Sequence, residues 1–189
     1  MPEYGGRILM GILGEPSNLI PYLSSDSASS EVSSLLYTSP LEYDKDLNIV
    51  KCATEEWEVL EGGRLMRFRL KEGLLWQDGH PLTADDVTFT YNLMTNPATP
   101  TAYAADFMNI KEYRQTGPLS FEVRYEVPYA RAAITWMHPI LPRHILEQEN
   151  IATTRYARQP VGAGPFKLKS WEPGSRITLE ANGLYFKGR

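Results

Sequence analysis

The sequence predicts a mixed α/β fold, and three local patterns carry that prediction. Leu65–Lys71 alternates, with Met66, Phe68 and Leu70 on one side and Arg67, Arg69 and Lys71 on the other. A period of two with cationic outer positions is a half-buried strand. A helix start follows: Thr83 stands as N-cap, with Asp86 three residues on in the capping-box position, Leu82 placed to staple onto Val87, and Asp85 and Asp86 at the positive end of the helix dipole. Val87, Thr90, Tyr91 and Met94 then recur at helical spacing, and Pro97 lies beyond the end. The third pattern is a hairpin, in which Phe166–Trp171 and Arg176–Glu180 each alternate across the turn Glu172-Pro173-Gly174-Ser175.

The other elements follow from the same rules. Arg7–Leu13 is short and nearly all apolar, which predicts a buried strand. Gly14–Asn18 is turn-rich. Ser24–Ser30 reads as a loop feeding a helix, with Ser29 or Ser30 as cap and Val32, Leu35 and Leu36 as apolar face. Tyr37–Tyr43 is a helix exit and a short strand, closed by a turn over Asp44–Asn48. Glu56–Leu60 and the alternating run form a meander. Tyr103–Tyr113 is expected to be helical in part, Leu119–Tyr125 a strand, Arg131–Met137 helical and Arg143–Glu149 a short helix.

The length of 189 residues suits one domain or two small lobes with a real core. The net charge is −4 and the basic residues are scattered, so nucleic acid is not an expected partner. No apolar run reaches the roughly 18 residues of a membrane span. The N-terminus, Met1–Gly6, has neither the basic nor the apolar region of a signal peptide. Cys52 is the single cysteine, which excludes an internal disulfide and a cysteine metal cluster and reads as a small buried hydrophobe.

Tests for chemistry are weak. His80, His138 and His144 are dispersed in sequence, so neither a metal nor another cofactor is expected. There is no G-x-S-x-G elbow. Gly162-Ala163-Gly164 lacks the lysine of a phosphate loop and reads as a hinge or a close backbone contact. Asp85-Asp86 is explained by capping, and no catalytic residue is assigned. The surplus is aromatic: four Trp, eleven Tyr and six Phe, with Tyr22, Tyr103, Trp136 and Trp171 beside rigid turns. Such placement suits a binding cleft better than a reaction centre.

Three segments, in order, resemble the family 5 extracellular solute-binding proteins, the peptide and nickel receptors of ABC importers. They are G-E-P-S-N-L-I-P-Y (Gly14–Tyr22), F-R-L-K-E-G-L-L-W-Q-D-G-H-P-L-T-A-D-D-V-T-F-T-Y (Phe68–Tyr91) and P-V-G-A-G-P-F-K-L-K-S-W-E-P-G-S-R-I-T-L-E-A-N (Pro160–Asn182). In the last, Ala163 stands where the family commonly has threonine. The resemblance implies a type II periplasmic-binding-protein-like fold of which only the first lobe is here. Residues 1–44 would open the core of that lobe, 45–159 would form an inserted α+β subdomain, and 160–189 would be the second core segment. Y-F-K-G-R would cross toward an absent second lobe, so the chain reads as a fragment or an engineered piece. Met1 would replace a secretory leader, and the location would be periplasmic or extracellular, with a lipid anchor open in the full-length precursor.

The resemblance also implies ligand contacts at Ser24 and Ser25, at Tyr103, and at Trp136, Met137 and His138. The nickel-binding branch places an arginine in that last segment, where this chain has none, which disfavours a nickel complex. Peptide is the expected ligand and ABC permease subunits the expected partners. Another small solute (sugar, opine or metal chelate) is an alternative, as is the sensing domain of a regulator. An enzyme is not expected.

Overall fold

A computed structural model of the chain describes residues 5–188. The readings placed on Met1–Tyr4 and on Arg189 lie outside the described residues. The centre is an antiparallel four-stranded sheet in the order β3 (Thr54–Leu60), β4 (Leu65–Leu70), β6 (Ser120–Tyr125), β5 (Ile110–Gly117). The period-two reading of β4 holds: Leu65, Met66, Phe68 and Leu70 are buried, while Arg67 and Arg69 are exposed. Their guanidinium groups meet acidic neighbours on the outer face, Arg67 on Glu122 (2.8 Å) and Arg69 on Glu56 (2.9 Å). Such solvent-screened pairs favour register and solubility more than stability. The inner face supplies the binding energy of the core. Phe68 stacks on Phe121 at 4.7 Å, and both rings pack against Trp136 at 5.3 and 5.0 Å.

Helix α2 (Ala84–Thr95) lies over this sheet with Ala84, Val87, Thr90 and Met94 buried. Its capping box is present: the Thr83 N–H donates to Asp86 Oδ2 (2.9 Å) and the Asp85 N–H donates to the Thr83 hydroxyl (3.3 Å). Leu82 and Val87 enter the same apolar cluster.

A second cluster joins the remaining pieces. Helix α1 (Ser27–Leu36) packs against the hairpin β7 (Phe166–Glu172) and β8 (Arg176–Ala181), and its Val32 and Leu36 are buried with Leu19, Ile20, Tyr22, Tyr37 and Tyr156. The close-contact reading of the glycine segment is correct. A Cβ on Gly162 would sit 1.8 Å from the Leu36 carbonyl oxygen, and the Gly164 N–H donates to that oxygen at 2.9 Å. A short hairpin, β1 (Leu41–Tyr43) with β2 (Ile49–Lys51), turns through Asp44–Asn48 as expected. The short helices α3 (Ala132–Thr135) and α4 (Arg143–Leu146) fall within their predicted segments.

Two expectations are corrected and a third, partial helix in Tyr103–Tyr113, holds for one turn only. Arg7–Leu13 is not a buried strand: no strand pairs with it among the described residues, and Ile8, Leu9, Met10 and Leu13 are 73–93% exposed. An apolar run predicts burial only if a partner takes up its backbone groups. The cap of α1 is Asp26, not Ser29 or Ser30. Its carboxylate accepts the Ser29 N–H (2.7 Å) and the hydroxyls of Ser29 (2.8 Å) and Ser17 (2.7 Å). Helical structure in Tyr103–Tyr113 is limited to one turn at Ala104–Asp106, after which the chain enters β5.

Candidate functional site

The segment after α3 is laid against the segment before β1 by backbone bonds: the Leu41 N–H donates to Trp136 O and the Ile140 N–H to Thr38 O, each at 2.9 Å. That pairing fixes the backbone of Trp136–Ile140. The Tyr22 hydroxyl, 117 residues away in sequence, donates to the Pro139 carbonyl. Burial drives the Tyr22 phenol well above its ordinary range, so it stays a neutral donor. Around this anchor three rings meet. Tyr22 lies 6.2 Å from Tyr103 and 5.8 Å from His138, and Tyr103 lies 5.6 Å from His138, edge-on in both tyrosine–tyrosine and tyrosine–histidine pairs named last.

His138 is oriented from the far side. Its Nε2 lies 2.9 Å from Asp106 Oδ2, its ring lies 5.6 Å from Phe107, and Arg131 reaches Asp106 at 3.9 Å. The backbone carbonyl of Asp106 accepts the Thr135 hydroxyl at 3.0 Å, which ties the one-turn helix to α3. The Tyr103 hydroxyl donates to the Ser24 carbonyl at 3.4 Å.

The structure therefore brings Ser24, Tyr103 and His138 into one neighbourhood. Met137 is half-buried against the main core and Ser25 is exposed just before the α1 cap. The Ser24 side chain is buried, with its hydroxyl turned toward the Ile20 carbonyl at 3.5 Å. Trp136 behaves differently. It is 3% exposed, its indole N–H donates to the Tyr125 hydroxyl (3.3 Å), and its ring is committed to Phe68 and Phe121. Its ring is thus part of the core beneath His138. Sequence reasoning missed Asp106, Phe107 and Arg131. Only Asp106 carried a signal, as an acidic residue in an aromatic-rich segment.

The cavity beneath Tyr22, Trp136 and His138 is about 10 Å³, which holds no more than a water. What the cluster offers is a surface of aromatic edges with an imidazole and a phenol at its rim. Such a surface stacks on apolar groups and hydrogen-bonds amides.

The architecture is that of one lobe of a type II periplasmic-binding protein. The profile of the bacterial extracellular solute-binding proteins, family 5, matches residues 48–189, and the chain belongs to that family. It is 33% identical to the oligopeptide-binding protein AppA of Bacillus subtilis over 196 residues, which is all of this chain and 36% of AppA. The structure of Bacillus subtilis AppA in complex with a nonapeptide superposes with a TM-score of 0.85 at 32% identity, over 93% of this chain and 36% of that one. NikZ of Campylobacter jejuni in complex with Ni(L-His) superposes with a TM-score of 0.84 at 25% identity, over 92% and 35%. The chain thus spans about a third of the length of the relatives it matches. Among the described residues no helix is long and apolar enough to cross a membrane.

Proposed function

We propose that this chain supplies the first-lobe face of the substrate-binding component of an ABC importer, and that the solute is an oligopeptide or dipeptide. The observation that carries the reading is the Tyr22–Tyr103–His138 cluster, fixed by backbone pairing and open to solvent at Tyr103. Its aromatic edges suit the side chains of a peptide, and its polar rim suits the amides. Ser25, Tyr103, Met137 and His138 would touch the solute, the Ser24 carbonyl and hydroxyl would hold Tyr103 and the loop, and Trp136 would act from beneath. In the same reading residues 1–44 and 160–189 form the core of the lobe and 45–159 an inserted subdomain. The protein works in the periplasm or outside the cell, hands its solute to membrane permease subunits and catalyses no reaction.

A surface with a cavity this small cannot enclose a peptide, so closure of a second lobe would provide the burial that affinity requires. The test is titration of the full-length protein with a mixed peptide pool, with mass spectrometry of any co-purified solute. Saturable binding that Tyr103→Ala weakens supports the reading. An absence of both binding and co-purified peptide overturns it. The likeness to NikZ, whose structure holds Ni(L-His), is the reason to include a metal–histidine chelate in the same titration.

A further inference from the structure

His80 and His144, separated by 64 positions, stack ring on ring at 4.2 Å with 20° between their planes. Asp78 contacts both imidazoles. Its Oδ2 is 2.8 Å from His144 Nε2 and its Oδ1 is 3.3 Å from His80 Nδ1. One donor atom from each of the three residues lies within 4.8 Å of the others. None of these residues belongs to the Tyr22–Tyr103–His138 cluster.

We infer that Asp78, His80 and His144 form a binding site for a divalent transition-metal ion such as Zn²⁺ or Ni²⁺. The donor set is two imidazoles and one carboxylate, the borderline nitrogen–oxygen combination that suits these ions and not Ca²⁺ or Mg²⁺. A tetrahedral ion with bonds of about 2.0–2.1 Å places its ligand atoms roughly 3.4 Å apart. The carboxylate–imidazole separations, 2.8 Å from Oδ2 to His144 and 3.3 Å from Oδ1 to His80, are of that order, so taking an ion requires His144 to draw back slightly from Asp78 and the exposed His80 ring to turn out of its stack. Three protein ligands leave the remaining positions to water, as in an open site.

The ligands stand on braced elements. Asp78 and His80 sit in a turn closed by Trp76 N–H to His80 O, Gly79 N–H to Trp76 O and the bridge between Leu75 and Pro81. His144 is carried by α4, whose first N–H, that of Arg143, donates to Asp86 Oδ1 at 2.9 Å. The other oxygen of Asp86 holds Thr83 at the end of the turn. One buried carboxylate therefore fixes the two ligand-bearing segments relative to each other. Trp76, fully buried, lies 6.1 Å beneath His144. A site braced in this way loses little entropy on taking an ion.

The test is titration of purified, tag-free protein with ZnCl₂ and NiCl₂ by calorimetry, followed by amide NMR. The expected result is one saturable site per chain, with shifts concentrated at residues 76–81 and 143–146 and no competition from Ca²⁺. His80→Ala, His144→Ala and Asp78→Asn each weaken binding by at least about tenfold, the scale on which metal sites respond even to loss of an outer partner. All three residues are exposed, and circular dichroism checks that the variants remain folded. Absence of saturable binding at up to about 1 mM metal overturns the inference. So does binding of wild-type strength in the His80→Ala/His144→Ala double variant, which would place the ion elsewhere.

Discussion

Asp86 accepts the backbone N–H of Arg143 at 2.9 Å across 57 residues of sequence. The same carboxylate caps its own helix through Thr83, so a residue read from sequence as a local cap is also a tertiary clamp. It is 4% exposed. Removing it strands the Thr83 N–H at the helix start and the part-buried Arg143 N–H of α4.

Asp86→Ala is expected to destabilise the fold by about 2 kcal/mol, combining a lost cap (about 1) with a part-buried donor left unpaired (about 1, the low end for such a loss). Urea unfolding measures it. A loss no larger than that of Asp85→Ala, which removes an exposed neighbour, would reduce Asp86 to an ordinary first-turn acid. The pH dependence is also defined. Burial holds the Asp86 carboxyl above its ordinary range, against the pull of the Thr83 and Arg143 N–H groups. A raised carboxyl favours the folded state while protonated, so its contribution is present below the unfolded value and is lost as pH rises through the folded one. Asp86→Asn removes that slope, read as the difference in unfolding free energy between the two proteins from pH 4 to 7.

Asp26 has the opposite sign. Burial raises its carboxyl, but hydrogen bonds from the Ser17 and Ser29 hydroxyls and the Ser29 N–H outweigh burial and bring it down to about 2. Its stabilisation is therefore present above the ordinary carboxylate value and is lost as pH falls toward about 2. Asp26→Asn is expected to be less stable than wild type at pH 6 and to converge with it near pH 2. A constant difference across that range would mean that the cap acts through shape and not through charge.

Gly162→Ala and Gly164→Ala are expected to be severe. The added methyl meets the backbone of Leu36, which cannot rotate aside as a side chain would. Overpacking costs about 1–3 kcal/mol where neighbours can yield, and more is expected here. Ala163→Thr, which restores the residue common in the resembling family, is the comparison. Soluble expression and thermal unfolding separate them, and a Gly162→Ala protein as stable as wild type would show that the hairpin and α1 do not meet as closely as described.

What the sequence made legible depended on distance along the chain. The strand β4, the capped helix α2 and the hairpin β7–β8 each announce themselves within about ten residues, because periodicity and capping are local physics. Strand β5 did not. It is an edge strand whose Lys111, Glu112 and Arg114 face outward and leave only Ile110 and Tyr113 as apolar positions. Charge on an edge strand guards against aggregation and erases the alternation a reader looks for. Arg7–Leu13 fails in the other direction, since its composition is that of a buried strand and its burial depends on a partner. Tyr103 and His138 were picked out through the resemblance, but Asp106, which orients His138, and the approach of His144 to His80 arise only from tertiary pairing. No spacing rule reaches across 32 or 64 residues.

Trp136 and His138 stand two residues apart on one paired segment and should separate cleanly by substitution. Trp136 fills the core, so Trp136→Ala is expected to cost about 3–5 kcal/mol, the range for a large buried ring, and to lower the melting temperature sharply. His138 is half-buried at the rim, held by Asp106 and ringed by Tyr22, Tyr103 and Phe107. His138→Ala is therefore expected to leave the melting temperature nearly unchanged while weakening solute binding by the full-length protein by about tenfold, equivalent to about 1.4 kcal/mol. Asp106→Asn tests orientation apart from contact: it keeps the side chain's size and weakens the hold on the imidazole, so its loss of affinity should be smaller than that of His138→Ala. Should His138→Ala and Asp106→Asn both bind every solute as wild type does, the cluster is a structural brace and the solute surface lies elsewhere on the lobe.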